Sequence, residues 1–162
     1  NLKLSSGIAL LKKLVDTGVT VGFGTDSSSS NNVLDMFEVI YIGSLLQKVH
    51  KGLDPQAIPA YQALFFGTRG SARALHWDDS IGSLEIGKKA DIIMVDFRMP
   101  HLIPTWNEIS HLTFAAKGSD VSDVIVNGEL LYKDKKFEHI DFMKFYDEAE
   151  IYFQHFKERL NS

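Results

Sequence analysis

The sequence contains no cysteine. This excludes a disulfide framework and a thiolate metal site, so any metal bound here is held by His, Asp or Glu. No apolar run approaches the ~20 residues that a membrane span needs. Asn1-Leu2-Lys3-Leu4 lacks the charged-then-apolar layout of a signal peptide. A cytoplasmic protein without a membrane partner is the expectation. Seventeen basic residues stand against 21 acidic ones, a formal net charge of −4, and no basic stripe stands out, so nucleic acid is not an expected partner. There is no internal repeat and no low-complexity tract beyond the four serines of residues 27–30. The chain also lacks an initiator methionine and meets its first helix signal within a few residues of Asn1, so it reads as cut from something longer.

What is present is ordinary for a soluble globular chain: 162 residues, 44% hydrophobic and 23% charged. That length predicts one domain, or one domain with an appended piece, and a substantial core. The most informative stretch is Val19-Thr20-Val21-Gly22-Phe23-Gly24-Thr25-Asp26, followed by four serines, Asn31 and Asn32. Its near-continuous apolar and small residues predict a strand over 19–24 covered on both faces, as in a parallel sheet. The two glycines within it permit close backbone approach. Asp26 then lies at the strand tip, where a carboxylate is costly to desolvate unless a cation or hydrogen-bond donors meet it.

Around that stretch, Ser5 or Ser6 can cap a helix with Ile8, Leu11, Leu14 and Val15 on one face, stopped by Gly18. Asn32 with Asp35 resembles a capping arrangement for the next helix, which runs through Met36, Phe37, Ile40, Tyr41 and Leu45 toward Gly52. Helix, buried strand, polar loop, helix is the order of an α/β protein, whose chemistry collects at the carboxyl ends of strands. Asp54-Pro55 reads as a further helix start, although Pro59 has no amide hydrogen and can delay the regular helix to that point. Residues 71–75 add a short helical piece. From residue 80 the character changes. A turn-rich connector over 81–91 leads to strands at 92–96 and 121–126, and Asn127-Gly128 signals a hairpin into 129–132. A last helix over 141–160 carries a dense stripe of Phe and Tyr, which reads as packing surface.

Three ordered stretches resemble the amidohydrolase superfamily, in its cytosine-deaminase-like and chlorohydrolase branch. They are Gly24-Thr25-Asp26 with Ser30-Asn31-Asn32-Val33-Leu34-Asp35-Met36-Phe37, the run from Gly82 to Ile92, and Asp123-Val124-Ile125-Val126-Asn127-Gly128. The run Asn31 to Phe37 is most similar to 5'-methylthioadenosine/S-adenosylhomocysteine deaminases, and Asn1 to Gly7 is similar to the segment after the seventh barrel strand there. The resemblance implies an α/β fold: the C-terminal part of a metal-dependent (β/α)8 TIM barrel plus part of a composite β-sandwich, closed by a C-terminal helix. Residues 1–80 would be the last barrel units, 81–138 the sandwich module and 139–162 a helix docking on the barrel. By position it makes Asp26 a ligand of zinc, or of another divalent metal such as iron, and a catalytic carboxylate beside a small-molecule substrate. Ser30 is a candidate substrate contact together with Asp26.

The implied activity is hydrolysis of carbon–nitrogen bonds other than peptide bonds, as deamination of a purine nucleoside thioether or related ring amine. Chlorohydrolase or guanine-deaminase-type chemistry is the alternative. The family's His-x-His pair is absent; the six histidines are His50, His76, His101, His111, His139 and His155. With one ligand of the ~3 that a catalytic zinc site takes, the chain alone is expected to be inactive, not to retain metal, and to need the missing N-terminal part of the same protein. The competing reading is a non-catalytic folding or assembly module, its exposed barrel edge pairing with another chain; a homo-oligomer is expected.

Simpler assignments stand beside these. Asp26 can cap the following helix, and residues 27–30 can be a solvated loop. Asn31 and Asn32 read as turn and cap residues. Asp91 is expected to fix the turn into its strand, and Arg69 and Arg73 to pair with carboxylates or helix ends. His101 and His111 are either structural or a second, non-catalytic metal site.

Overall fold

The computed structural model describes residues 1–50 and 52–160. In chain order these form α1 (Leu11–Asp16), α2 (Met36–Val49), α3 (Ala60–Phe66), α4 (Arg69–Ala74), β1 (Ile92–Val95), α5 (Glu108–Phe114), β2 (Val121–Val126), β3 (Glu129–Lys133), β4 (Lys136–Phe137) and α6 (Phe142–Leu160). The four strands make an antiparallel sheet in the order β1-β2-β3-β4. The Asn127-Gly128 hairpin forms as expected: both residues take positive φ, 52° and 84°, which matches the twist of β2 and β3. No described helix is long and apolar enough to cross a membrane.

Helix α2 joins the two hydrophobic clusters. Its Ile40 packs with Ile58, Ala63 and Phe66, and Val21 and Phe23 lean on that group. One turn earlier, Phe37 packs with Leu102 and Ala116, and Val95 and Val121 of the sheet close over them. The cap of α2 is Asp35, not Asn32. Its carboxylate accepts from Phe37 N at 2.8 Å and, through the other oxygen, from Gly118 N at 2.8 Å. One side chain thus caps the helix and ties it to the loop entering β2. Asp35→Ala is expected to lower stability by about 1–2 kcal/mol, the worth of a cap plus one exposed bond, read as a shift in the urea midpoint.

Several predicted boundaries move for identifiable reasons. Residues 19–24 carry no strand ladder, because no described segment lies alongside to pair with them; Val19 is 49% exposed. The segment is held sideways instead, with Phe23 N donating to Phe66 O at 2.9 Å and the Ser71 hydroxyl 2.9 Å from Phe23 O. Helix α1 starts at Leu11 and not after Ser5 or Ser6, since Gln47 of α2 does the capping from outside: Leu11 N donates to its Oε1 at 3.0 Å, and its Nε2 donates to Ala9 O. Helix α2 ends at Val49, before the predicted Gly52, and Lys51 lies outside the described residues. Asp54 nucleates a turn, accepting from Gln56 N at 2.9 Å, and the regular helix begins only after Pro59. Helix α4 starts at Arg69, two residues ahead of expectation.

The last helix forms over the expected span, capped by Asp141, which accepts from Lys144 N at 3.1 Å. Its aromatic stripe is not core within this chain. No residue of α6 is buried, and Phe137 and Phe142 stack at 6.3 Å where the helix leaves the sheet. Of the predicted module 139–162, Asn161 and Ser162 lie outside the described residues.

Candidate functional site

Asp26 stands at the end of a segment whose position is set by close backbone contact. A Cβ built on Gly22 would lie 2.7 Å from Ser71 Cα, so glycine lets this segment lie directly on α4. Four residues later the chain turns, and Asp26 takes φ 60°, a left-handed conformation that Asp tolerates better than most residues. The turn is closed by backbone bonds from Ser30 N and Asn31 N to Ser27 O, at 3.1 and 2.8 Å.

Both carboxylate oxygens of Asp26 are engaged. Ser30 Oγ donates to Oδ2 at 2.6 Å, and Ser27 N donates to Oδ1 at 2.7 Å. The Ser30 hydroxyl first, and the Ser27 amide second, hold the carboxyl below its ordinary pKa. Exposed to solvent and so held, it is ionised at neutral pH. Each oxygen keeps a lone pair beyond the one its donor occupies.

Asp26 and Ser30 line a cavity of about 440 Å³ together with Gly24, Asn31, Glu38 and Lys3. A larger groove of about 580 Å³ lies between α2 and α5, lined by Tyr41, Phe114 and Lys117, and Glu38 borders both. The Asp26 cavity has the chemistry: an ionised carboxylate fixed by two donors, beside hydroxyls that can contact a ligand. The carboxylate does not cap α2, because Asp35 does that. Asn32 is a turn residue whose Oδ1 accepts from Lys3 Nζ at 2.6 Å. Sequence reasoning missed Glu38 and Lys3: Glu38 follows the Asn31–Phe37 run, and Lys3, although inside the Asn1–Gly7 stretch, reaches the loop from 29 residues away.

As a metal position, this carboxylate offers two hard oxygen donors, which suits one ligand of a divalent cation. Among the described residues no three of His, Asp and Glu gather as a cation site. His101 and His111 are engaged elsewhere. His101 Nε2 lies 2.8 Å from Oδ2 of the buried Asp120, and His111 Nδ1 lies 2.9 Å from Asn107 O. Asp91 does not fix the turn into its own strand: its carboxylate accepts from Asn127 N at 2.7 Å, so it braces the β2–β3 hairpin 36 residues away. Arg69 and Arg73 meet Glu85 and Asp78, at 3.7 and 3.5 Å.

A 5-methylthioadenosine/S-adenosylhomocysteine deaminase of Syntrophobacter fumaroxidans is 47% identical over 138 residues, 84% of this chain and 31% of that protein. A 5'-deoxyadenosine deaminase of Methanosarcina barkeri is 43% identical over 162 residues, 100% of this chain and 37% of its own length. The crystal structure of an adenosine deaminase from Xanthomonas campestris with bound zinc is similar at TM-score 0.92 and 33% identity, over 97% of this chain and 36% of that one. The chain thus spans about a third of the length of these relatives. Its fold is the C-terminal part of a (β/α)8 barrel with part of a composite β-sandwich, ending in the C-terminal helix α6. Residues 1–131 match the model of the Amidohydrolase family, and with relatives of this similarity the chain belongs to that family.

Proposed function

We propose that this chain is part of a metal-dependent hydrolase of carbon–nitrogen bonds, one that deaminates a purine nucleoside thioether such as 5'-methylthioadenosine or S-adenosylhomocysteine. The carrying observation is Asp26, an exposed ionised carboxylate with both oxygens oriented by Ser27 and Ser30 inside a cavity. The substrate class rests on the similar deaminases, whose names carry those compounds. In this reading Asp26 is both a metal ligand and a catalytic residue, and Ser30 lies where a substrate can touch it. Residues 1–80 supply the last barrel units and 81–138 the sandwich module. The exposed aromatic face of 139–162 docks on the barrel.

Zinc, or another divalent metal such as iron, supplies Lewis-acid activation of water when bound in such a site. The chain's own part is to hold a carboxylate in place. Ser27 N and Ser30 Oγ fix the plane of the Asp26 carboxyl, and the free lone pair on each oxygen can ligate the cation or accept a proton. The bonds that lower its pKa hold the group ionised and oriented, as a cation ligand requires.

The test is ammonia release from 5'-methylthioadenosine and S-adenosylhomocysteine by a full-length enzyme carrying this chain. Absence of turnover on both, in a zinc-loaded preparation, removes the substrate assignment. The 162-residue chain alone is expected to bind far less than one equivalent of zinc by elemental analysis. A full, tightly held equivalent would show that the ligand set is complete within it.

A further inference from the structure

The serine turn that orients Asp26 is itself fastened from the other side. Lys3 Nζ donates to Ser29 O at 2.9 Å and to Asn32 Oδ1 at 2.6 Å. The ammonium thus holds one carbonyl inside the turn and one amide oxygen just beyond it. Asp26 engages the opposite side of the same turn, through Ser27 N and Ser30 Oγ. Lys3 sits on a hydrogen-bonded turn of its own, closed by Ser5 N to Leu2 O at 3.2 Å and Ser6 N to Asn1 O at 2.9 Å. A flexible four-carbon stem is therefore anchored at its base and occupied at its tip.

We infer that Lys3 is a positioning residue for Asp26, acting through the serine turn; this rests on the reading of Asp26 as a metal ligand. The physical reason is the lack of other restraint. Ser27, Ser28 and Ser29 are exposed and bury no apolar surface, so hydrogen bonds alone keep the turn in one conformation. Besides the two bonds to the Asp26 carboxylate itself, these are the backbone closures on Ser27 O, the Ser30 hydroxyl 3.1 Å from that oxygen, and the contacts of the Ser27 hydroxyl, 2.9 Å from both Ser29 and Ser30 Oγ. Such short neutral bonds in water are individually weak. A cation donating to two carbonyl-type oxygens makes stronger, charge-assisted bonds, and it ties the turn to a segment remote in sequence. Released from Lys3, the turn samples other conformations, and the Asp26 carboxyl loses its fixed plane.

Lys3→Met keeps the stem and removes the donors, whereas Lys3→Arg keeps a cation with several donors. In a full-length enzyme, Lys3→Met is expected to weaken zinc by about tenfold in chelator competition and to lower kcat by a similar factor, the scale of outer-shell partners. KM should change little, and Lys3→Arg should recover most of both losses. In the 162-residue chain without metal, the Ser27 amide should exchange faster in Lys3→Met than in the parent sequence. A raised KM with unchanged kcat and zinc affinity would mean that the ammonium contacts substrate instead, and would overturn the proposal. So would unaltered zinc affinity, kcat and amide exchange. If Asp26→Ala itself keeps zinc and turnover, the ligand reading fails. If Asp26→Ala loses them while Lys3→Met does not, only the role given to Lys3 fails.

Discussion

In a full-length enzyme carrying this chain, Asp26→Ala is expected to lower kcat/KM for deamination by at least ~10³-fold, roughly 4 kcal/mol of transition-state stabilisation. The substitution removes both oxygen donors at once, and among the described residues no three of His, Asp and Glu gather as a cation site. The overall fold should be retained, because the side chain is exposed and caps no helix, at a cost of about 1 kcal/mol for alanine in the left-handed conformation of residue 26. Unchanged circular dichroism with lost zinc and lost turnover is the expected pattern, and retained turnover would sink the assignment. Ser30→Ala provides a graded companion. The Ser30 hydroxyl is the largest cause of the lowered Asp26 pKa, so its removal should move that pKa up toward the ordinary carboxylate value. A group whose folded pKa is lowered contributes stability above its unfolded pKa and loses it as pH falls. In the Ser30→Ala chain this contribution should be smaller and its loss should be complete at a higher pH than in the parent, and NMR titration of the carboxyl reads the raised pKa.

How much of this was legible beforehand depended on whether the determining contact was local. The Asn127-Gly128 hairpin and the α6 span depend on residues adjacent in sequence, and each forms as expected. The start of α1 was not legible in this way, because its cap is Gln47, 36 residues away. The pattern of small polar residues pointed to Asn32 as the cap of α2, yet Asp35 takes the role by meeting both Phe37 N and Gly118 N. Burial was least legible. The apolar run at 19–24 and the aromatic stripe of α6 both carry the composition of covered surface, and in this chain both remain partly or wholly open. Composition records that a face is to be covered, but not by which atoms. Asp26 was readable as a candidate from its place in a motif. Its two donors and the hold of Lys3 on the turn needed coordinates, since a serine run gives no sign of which hydroxyl points inward.

The same segment offers a stability test that separates packing from composition. Gly22 and Gly24 stand two residues apart in one apolar run, and sequence alone gives no reason to rank them. A Cβ at Gly22 would come within 2.7 Å of Ser71 Cα and 3.0 Å of Ser71 Oγ, while one at Gly24 would meet nothing within 4 Å. The obstacle at Gly22 includes backbone, which cannot step aside by changing rotamer, so α4 and the 19–26 segment must separate. That separation strains the bond from Phe23 N to Phe66 O and the Ser71 hydroxyl contacts to Phe23 O and Phe66 O. Gly22→Val is expected to cost ~2–3 kcal/mol of stability, the scale of overpacking against an unyielding neighbour. Gly24→Ala should stay within ~0.5 kcal/mol of the parent, as for a substitution that touches nothing. Urea midpoints at constant m value read the difference. In a full-length enzyme, Gly22→Val should also lower activity, because the displaced segment carries Asp26 with it, whereas Gly24→Ala should keep the carboxylate in place. Equal midpoints for the two variants would show that the seam between this segment and α4 yields freely, and that the position of Asp26 is set elsewhere.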